Sequence, residues 1–443
     1  MVESNKQYKM FFGITSIFLI LLMTVFLFYV GTKEYQGITD AKFSVFRIVC
    51  GGYIFLMGLL LIESIVVGEF RVGRGLLKKM SITQKLVVCY ILLTWISAIF
   101  SPYFPETIWG MTRFEGAMTI SIYGICFILV SVFGEISKRL LFVLGTSVSL
   151  FCILCIIQLS GKNPMGLYPE GLTYFDGYIK YAGAYLGTIG NVDLVAAFLS
   201  LMIPLLWIGL LRLSEKWKFL LMIPLGLSLF VLLKMFVLTG LVAVFAGGLL
   251  ILPVIVTGSA KKKKFLAGIV CFLFTAVLGL VYLLDVGNGM LHEIHQILHG
   301  DFDGGFGSGR LHIWKSVLTE IPKHLLLGTG PDTMAYADFE AFTRYDVSLG
   351  KTIVTHIDIA HNEYLNILFH QGLPALVVYL VLLGALAVKW IRQSEKDAVT
   401  AMLGGATFCY CVQAFFGFSM IMTAPYFWVI LGLLDKRTRW GDK

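Results

Sequence analysis

Charge is what this chain has least of. Acidic and basic side chains make up 14% of its 443 residues, whereas 58% are hydrophobic. Such a composition excludes a string of soluble domains, in which roughly a quarter of residues are charged. It points to an integral membrane protein. Cysteine is missing from the stretches between the long apolar runs, since all eight, at 50, 89, 126, 152, 155, 271, 409 and 411, fall inside runs. That excludes a disulfide framework in the loops and leaves "CILC" at 152–155 as small apolar residues. A small-residue cleavage site is also missing from "FLFYVGTKEYQ", so the first run is expected to stay as a span. No internal repeat is visible and ionisable residues are rare at mid-run, which weighs against a secondary transporter.

What is present is a series of apolar runs close to the roughly 20 residues that cross a bilayer as helix. Twelve can be counted, at 10–30, 43–67, 85–101, 117–134, 140–160, 192–211, 219–236, 238–258, 265–285, 373–390, 397–417 and 419–434. The expected fold is all-α and polytopic. The seventh and eighth runs come from one nearly unbroken stretch, split near Lys234 and Gly240. Lys and Arg collect in alternate loops, as they do on cytoplasmic faces. Arg71, Arg74, Lys78 and Lys79 follow the second run, Lys138 and Arg139 the fourth, and Arg212, Lys216 and Lys218 the sixth. Lys261 to Lys264 follow the eighth, Lys389, Arg392 and Lys396 the tenth, and Lys436, Arg437 and Arg439 the last. Twelve spans put all of these on one side, with both termini cytoplasmic. Topology then accounts for the formal charge of +8 without any nucleic-acid partner.

Three loops on the opposite side are long enough to build a site: 102–116, 161–191 and 286–372. The chain is expected to form one membrane domain in three parts. Residues 1–285 carry nine spans, 286–372 a large extracytoplasmic loop with the site, and 373–443 three spans and a cytoplasmic tail. Every histidine, at 292, 295, 299, 312, 324, 356, 361 and 370, lies in that large loop.

Within it, "GFGSGRLHIWKSVLTEIPKH" reads as a glycine-rich turn and a helix starting near Arg310, with Trp314 on the same face. Free N–H groups at such a start favour an anion, and the alternative is an ordinary surface arginine. "DIAHNEYLNILFHQGLPALVVYL" reads as a short helix from about 359, ended by Gly372, and a second helix with Pro374 in its first turn. His361, Tyr364, Leu365 and Leu368 would then share a face, with His361 at the outward end in a structural or a functional role. "LHEIHQILH" puts His292, His295 and His299 on one face beside Glu293, but no converging fourth ligand is visible. It reads as an amphipathic helix on the membrane interface. No metal site or cofactor is expected. "SPYFPETIWGMTRFEGAMT" places Arg113 and Glu115 before the fourth span, as interface and helix-start residues or as ligands. Asn191 and Asp193 stand at the outer end of the sixth.

Three of these stretches, "GSGRLHIWKSVL", "LLGTGPDTM" and "DIAHNEYLNILFHQGLPAL", closely resemble the signature region of the bacterial O-antigen ligase and O-antigen polymerase superfamily. The likeness is detailed over about 307–384. It is looser over about 100–210, through "GMTRFEGAMT" and "GTIGNVDLVAAFL". The resemblance implies a metal-independent membrane glycosyltransferase of the GT-C type in the bacterial cytoplasmic membrane. Such an enzyme moves a glycan from an undecaprenyl-diphosphate carrier to a hydroxyl of a glycan, lipid or protein acceptor at the outer face. It makes Arg310 a diphosphate ligand and His361 a catalytic residue, or else a substrate-binding one. Asn362 or Glu363 would orient His361. Arg113, Glu115, Trp314 and Tyr364 complete the implied substrate-binding set. Ligase and polymerase both remain open, with a transporter or a non-catalytic glycan-assembly protein as alternatives. One departure stands out: many relatives carry a Ser-Arg pair at the eighth span, whereas "VLTGLVAVFAG" has no arginine. Lys234 or another loop cation would replace that contact, or the donor differs or activity is lost. "GNVD", where relatives often have Asn-Pro-Asn, is a smaller departure.

Overall fold

The computed structural model describes residues 2–66, 80–176, 183–256, 259–285, 287, 289–307, 309–346, 351–393 and 397–439. Arg71, Arg74, Lys78, Lys79 and Lys396 of the charge pattern lie outside them, as does Ser308 of the glycine-rich turn.

In hydrocarbon the backbone must satisfy its own polar groups, and a helix does so locally. The chain begins with α1 (Val2–Leu21), α2 (Ile38–Phe46), α3 (Gly52–Val66), α4 (Ile82–Ile99), α5 (Phe104–Thr107), α6 (Ala117–Phe133) and α7 (Lys138–Leu159). A two-residue strand pair, β1 (Tyr185–Leu186) and β2 (Gly190–Asn191), leads into α8 (Val192–Arg212). Next come α9 (Met222–Met235), α10 (Leu238–Leu241), α11 (Gly247–Val256), α12 (Ala260–Leu283), α13 (Gly289–Leu298) and α14 (Arg310–Glu320). The antiparallel hairpin β3 (Phe342–Asp346) and β4 (Lys351–Thr355) precedes α15 (Glu363–Gln393), α16 (Ala398–Ala414) and α17 (Ala424–Arg439).

Each of the twelve apolar runs carries a helical segment. Among the described residues nine helices are long and apolar enough to cross a membrane, and α6 and α16 are shorter apolar helices. This is an all-α polytopic membrane protein. The turn dividing 219–258 falls at Phe236, in a left-handed conformation (φ 53°). Lys234 just before it is exposed, with its Nζ 6.0 Å from the Phe230 ring centroid, so it snorkels along an aromatic face instead of lying deep.

The core is organised on α8, which is almost wholly buried, while α12 is almost wholly exposed and presents apolar side chains outward. α8 packs on α16, α6 on α17 and α4 on α15. Small residues allow the close approach, because helices in lipid associate by van der Waals packing. A Cβ on Gly404 of α16 would fall 2.1 Å from the Trp390 ring, and one on Gly405 2.2 Å from Ile208.

The large loop has a small core of its own. Ile313, Val317, Ile321, Met334 and Ile357 gather there with Phe369 of α15. α15 is two helices in line, broken at Gly372 (φ 79°, ψ 173°) just before Pro374, as the sequence predicts. Its start corrects the expectation: the helix begins at Glu363, not near 359. The Asn362 side chain accepts the Leu365 N–H at 3.1 Å, an N-cap that fixes the start. His361 therefore lies before the helix and does not share a face with Tyr364, Leu365 and Leu368.

The break at Gly372 also builds the fold. Leu373 sends its N–H to Leu325 O (2.7 Å) and Pro374 has none to give, so the carbonyls of Phe369 and His370 lose their helical donors. Thr329 N–H (3.0 Å) and Gly330 N–H (2.9 Å) replace them. Contact is so close that a Cβ on Gly372 would sit 2.3 Å from Leu326 O, and one on Gly328 2.3 Å from the His370 carbonyl carbon. Gly372→Ala combines a left-handed alanine with a backbone clash and is expected to lose about 2 kcal/mol or more. A lowered unfolding temperature of the detergent-solubilised protein checks this; an unchanged one would refute the clasp.

Candidate active site

The clasp carries Asp332 into position. Its backbone is left-handed (φ 58°), and its Oδ2 accepts the backbone N–H of Thr112 (3.0 Å) and Arg113 (2.9 Å). The segment before α6 closes tightly around that carboxylate, because a Cβ on Gly110 would lie 2.6 Å from Asp332 Oδ2. This sets the two residues that the sequence singles out there. Arg113 pairs with Asp358 at 3.0 Å and lies over the Phe418 ring, 5.6 Å from its centroid. Glu115 turns inward, where Tyr123 OH donates to its Oε1 at 2.8 Å.

Glu363, first residue of α15, points into the same region. Its Oε1 accepts from Tyr379 OH at 2.5 Å and its Oε2 from Tyr410 OH at 3.4 Å. The two glutamates lie within electrostatic reach of each other, and no cation bonds either one among the described residues. Between them is a half-open cavity of about 70 Å³. Arg113, Asp332, Asp358, Asn366, His370, Gln371 and Ser419 add to its polar wall, and Tyr90 and Trp428 are part of its aromatic wall. Burial raises the Glu115 carboxyl well above its usual value, a shift that the charges of Asp332 and Glu363 reinforce. Burial likewise raises Asp332, against the lowering effect of the Arg113 amide and charge.

His361 is not itself among the residues that line this cavity, although Ile359 and Glu363 on either side of it are. It adopts a left-handed backbone (φ 48°), rare for a non-glycine residue, and its ring meets Phe418 edge-on at 5.4 Å. Arg113 and His361 thus flank one aromatic ring. Asn362 and Glu363, expected to orient His361, are held by the Leu365 amide and by two tyrosines respectively. Tyr364 OH donates to Cys411 O at 2.9 Å, tying α15 to α16. Trp314 Nε1 donates to Ala360 O at 2.9 Å, which fastens α14 beside His361.

Arg310 stands at the start of α14. Its Nη1 donates to Gly307 O at 2.9 Å, and its charge reaches Asp193 at the head of α8. Nε is buried with no hydrogen-bond partner among the described residues. The helix start is less open than its sequence implies. Arg310 N–H goes to Gly307 O (3.3 Å) and His312 N–H to Gly304 O (3.4 Å), so the guanidinium, more than the backbone, is the available anion donor. Three other histidines of the loop belong to α13 or its end, and the rings of His295 and His299 lie 4.2 Å apart. His292 contacts Asp285, His295 contacts Val281 O, and His299, just past the end of α13, stacks on Tyr282.

The elements that carry Arg310, the clasp and His361 form one continuous stretch of chain. Residues 227–380 match the O-antigen ligase family model. This supports the O-antigen ligase and polymerase superfamily for the chain, and so a glycosyltransferase type of enzyme. No curated protein matches the sequence. The matched stretch contains Arg310, Trp314, His361, Asn362, Glu363 and Tyr364, while Arg113 and Glu115 lie upstream of it and join it only through the fold.

Sequence reading missed Asp332, Asp358, His370, Tyr379, Tyr410 and Phe418. Asp332 and Asp358 fall within "LLGTGPDTM" and "DIAHNEYL", so their motifs pointed to them. The two tyrosines and Phe418 sit in or beside apolar runs, where a phenol or ring gives no signal of its partner. A raised carboxyl favours the folded state while protonated. Stability is then full below the usual value, 4.5 for Glu115, and is lost as pH rises above it. Unfolding temperature is therefore expected to fall with pH from that point upward, and Glu115→Gln to flatten the slope. An identical slope in the variant would exclude Glu115 as its source.

Proposed function

We propose that the protein transfers a glycan from an undecaprenyl-diphosphate carrier to an acceptor hydroxyl at the outer face of the bacterial cytoplasmic membrane. The buried, unpartnered Nε of Arg310 at the glycine-rich start of α14 carries this reading. A guanidinium held so, with four N–H donors beyond the one on Gly307 O, suits a diphosphate whose charge grows as the glycosidic C–O bond breaks. The acceptor oxygen forms the new bond to the anomeric carbon, the diphosphate leaves with the electron pair, and His361 takes the hydroxyl proton. Imidazole titrates near neutrality, and the strained backbone that presents it is the kind found where function holds a residue in place. The alternating lysines and arginines support an outer-facing site with cytoplasmic termini.

The test is a strain lacking the gene, complemented with wild type, Arg310→Ala or His361→Ala, with lipid-linked and surface glycans compared. Arg310→Ala is expected to lower transfer about 100-fold or more. His361→Ala should lower it by roughly 10² to 10⁴. Accumulated full-length chains on the carrier identify a ligase, and accumulated single repeats a polymerase. Transfer at the wild-type level in a folded variant removes that residue from the mechanism, and unchanged glycans in the deletion strain refute the function.

A further inference from the structure

The cavity between Glu115 and Glu363 is not where a diphosphate would rest. Four carboxyl groups line it against one guanidinium, and that guanidinium, on Arg113, is already paired with Asp358. Among the described residues, no lining guanidinium or ammonium is left without a carboxylate partner, so the cavity lacks the cation that a diphosphate leaving group needs and that Arg310 supplies. Its chemistry is that of a hydroxyl receptor. Glu115 and Glu363 present acceptor oxygens held in place by phenols. His370 adds a buried Nε2 with no hydrogen-bond partner among the described residues, on a ring that lines the same space. A buried ring nitrogen left so is costly unless a ligand or water satisfies it. At about 70 Å³ and half-open, the cavity has room for several waters or for a hydroxyl-bearing arm of a larger molecule. Trp428 and Tyr90, almost fully buried, form part of the cavity's inner aromatic wall, and the more exposed Arg113 and Asp358 also line it.

Resting on the function proposed above, we propose that this cavity is the acceptor-sugar subsite, taking the exocyclic hydroxymethyl arm of a neutral hexopyranoside between Glu115, Glu363 and His370. The sugar ring then lies outside the half-open cavity, beside Arg113 and Asp358. The two substrates are then sorted by different chemistry: the diphosphate donor is drawn to the charge of Arg310, and the uncharged acceptor is held by hydrogen bonds in the carboxyl-lined cavity.

The experiment is saturation-transfer NMR on the full chain in lipid nanodiscs, with methyl glucoside, methyl galactoside, their 6-deoxy counterparts, glucosamine and undecaprenyl phosphate as probes. At least one neutral glycoside is expected to bind and its 6-deoxy form to bind roughly tenfold more weakly, as are the parent glycosides to Glu115→Gln and Glu363→Gln. Ser419→Trp, at a half-exposed position on the cavity wall, should abolish the glycoside signal while both glutamates are kept in the sequence. Undecaprenyl phosphate should bind all three variants as it binds wild type, and bind Arg310→Ala at least tenfold more weakly. Equal glycoside binding by wild type and variants, no glycoside signal at all, or a signal from cationic glucosamine alone would overturn the subsite. If the glycoside pattern holds while undecaprenyl phosphate ignores Arg310, the donor reading fails and the sugar site stands.

Discussion

Two backbone carbonyls determine where everything polar in this protein goes. Where α15 breaks, Phe369 O and His370 O would face the bundle interior unsatisfied, which an apolar setting makes costly. The loop at 324–333 supplies Thr329 and Gly330 N–H, and Ser97 adds its hydroxyl to His370 O at 2.7 Å. Ser101 of the α4–α5 turn then accepts the loop in return, donating to Thr329 O at 2.7 Å. Three segments far apart in sequence are joined at one point. Asp332 sits two residues beyond the clasp, so its grip on Thr112 and Arg113 follows from the same constraint.

This explains why glycines recur in the two motifs and which of them matter. Gly328 and Gly372 belong to different motifs, yet each has its Cβ space taken by the other's segment. Gly287 and Gly300, equally left-handed, have open space around them, so their demand is conformational only. Packing therefore couples "LLGTG" to "HQGLP", and the pair acts as one structural unit that hangs the active-site loop on the membrane helices.

Much of this architecture was legible because hydrocarbon leaves few options. The apolar runs became helices, the split of 219–258 fell at Phe236, and Gly372 with Pro374 broke α15 where local stereochemistry requires. The helix start at 359 was misjudged because apolar spacing ran on through Ile359 and Ala360, and the competing signal, Asn362 as a cap, lay inside the motif. The site was legible only along the chain. Arg310, His361 and Glu363 come from one stretch, but the contact of Glu115 with Tyr123 and of Glu363 with Tyr379 and Tyr410 depends on helix packing across the bundle. The β3–β4 hairpin was missed although "FTRYD" and "KTIVT" carry the aromatic and β-branched residues of strands.

The absent intramembrane arginine is then a question of charge balance around Arg310. Asp193 lies close enough to temper that guanidinium, and the glycine-rich turn has already taken the backbone donors of Arg310 and His312. A diphosphate bound there would be held mainly by one side chain, with Asp193 opposing it. Lys234 does not make up the difference as a buried ligand, since it is exposed beside Phe230. A weakly compensated phosphate site has a kinetic advantage when the leaving group is itself the product to be released. Charge that develops only as the bond breaks gains most from a donor such as Nε that no protein group competes for. On the proposed function, the same arrangement would hold the intact carrier less firmly before reaction than at the transition state.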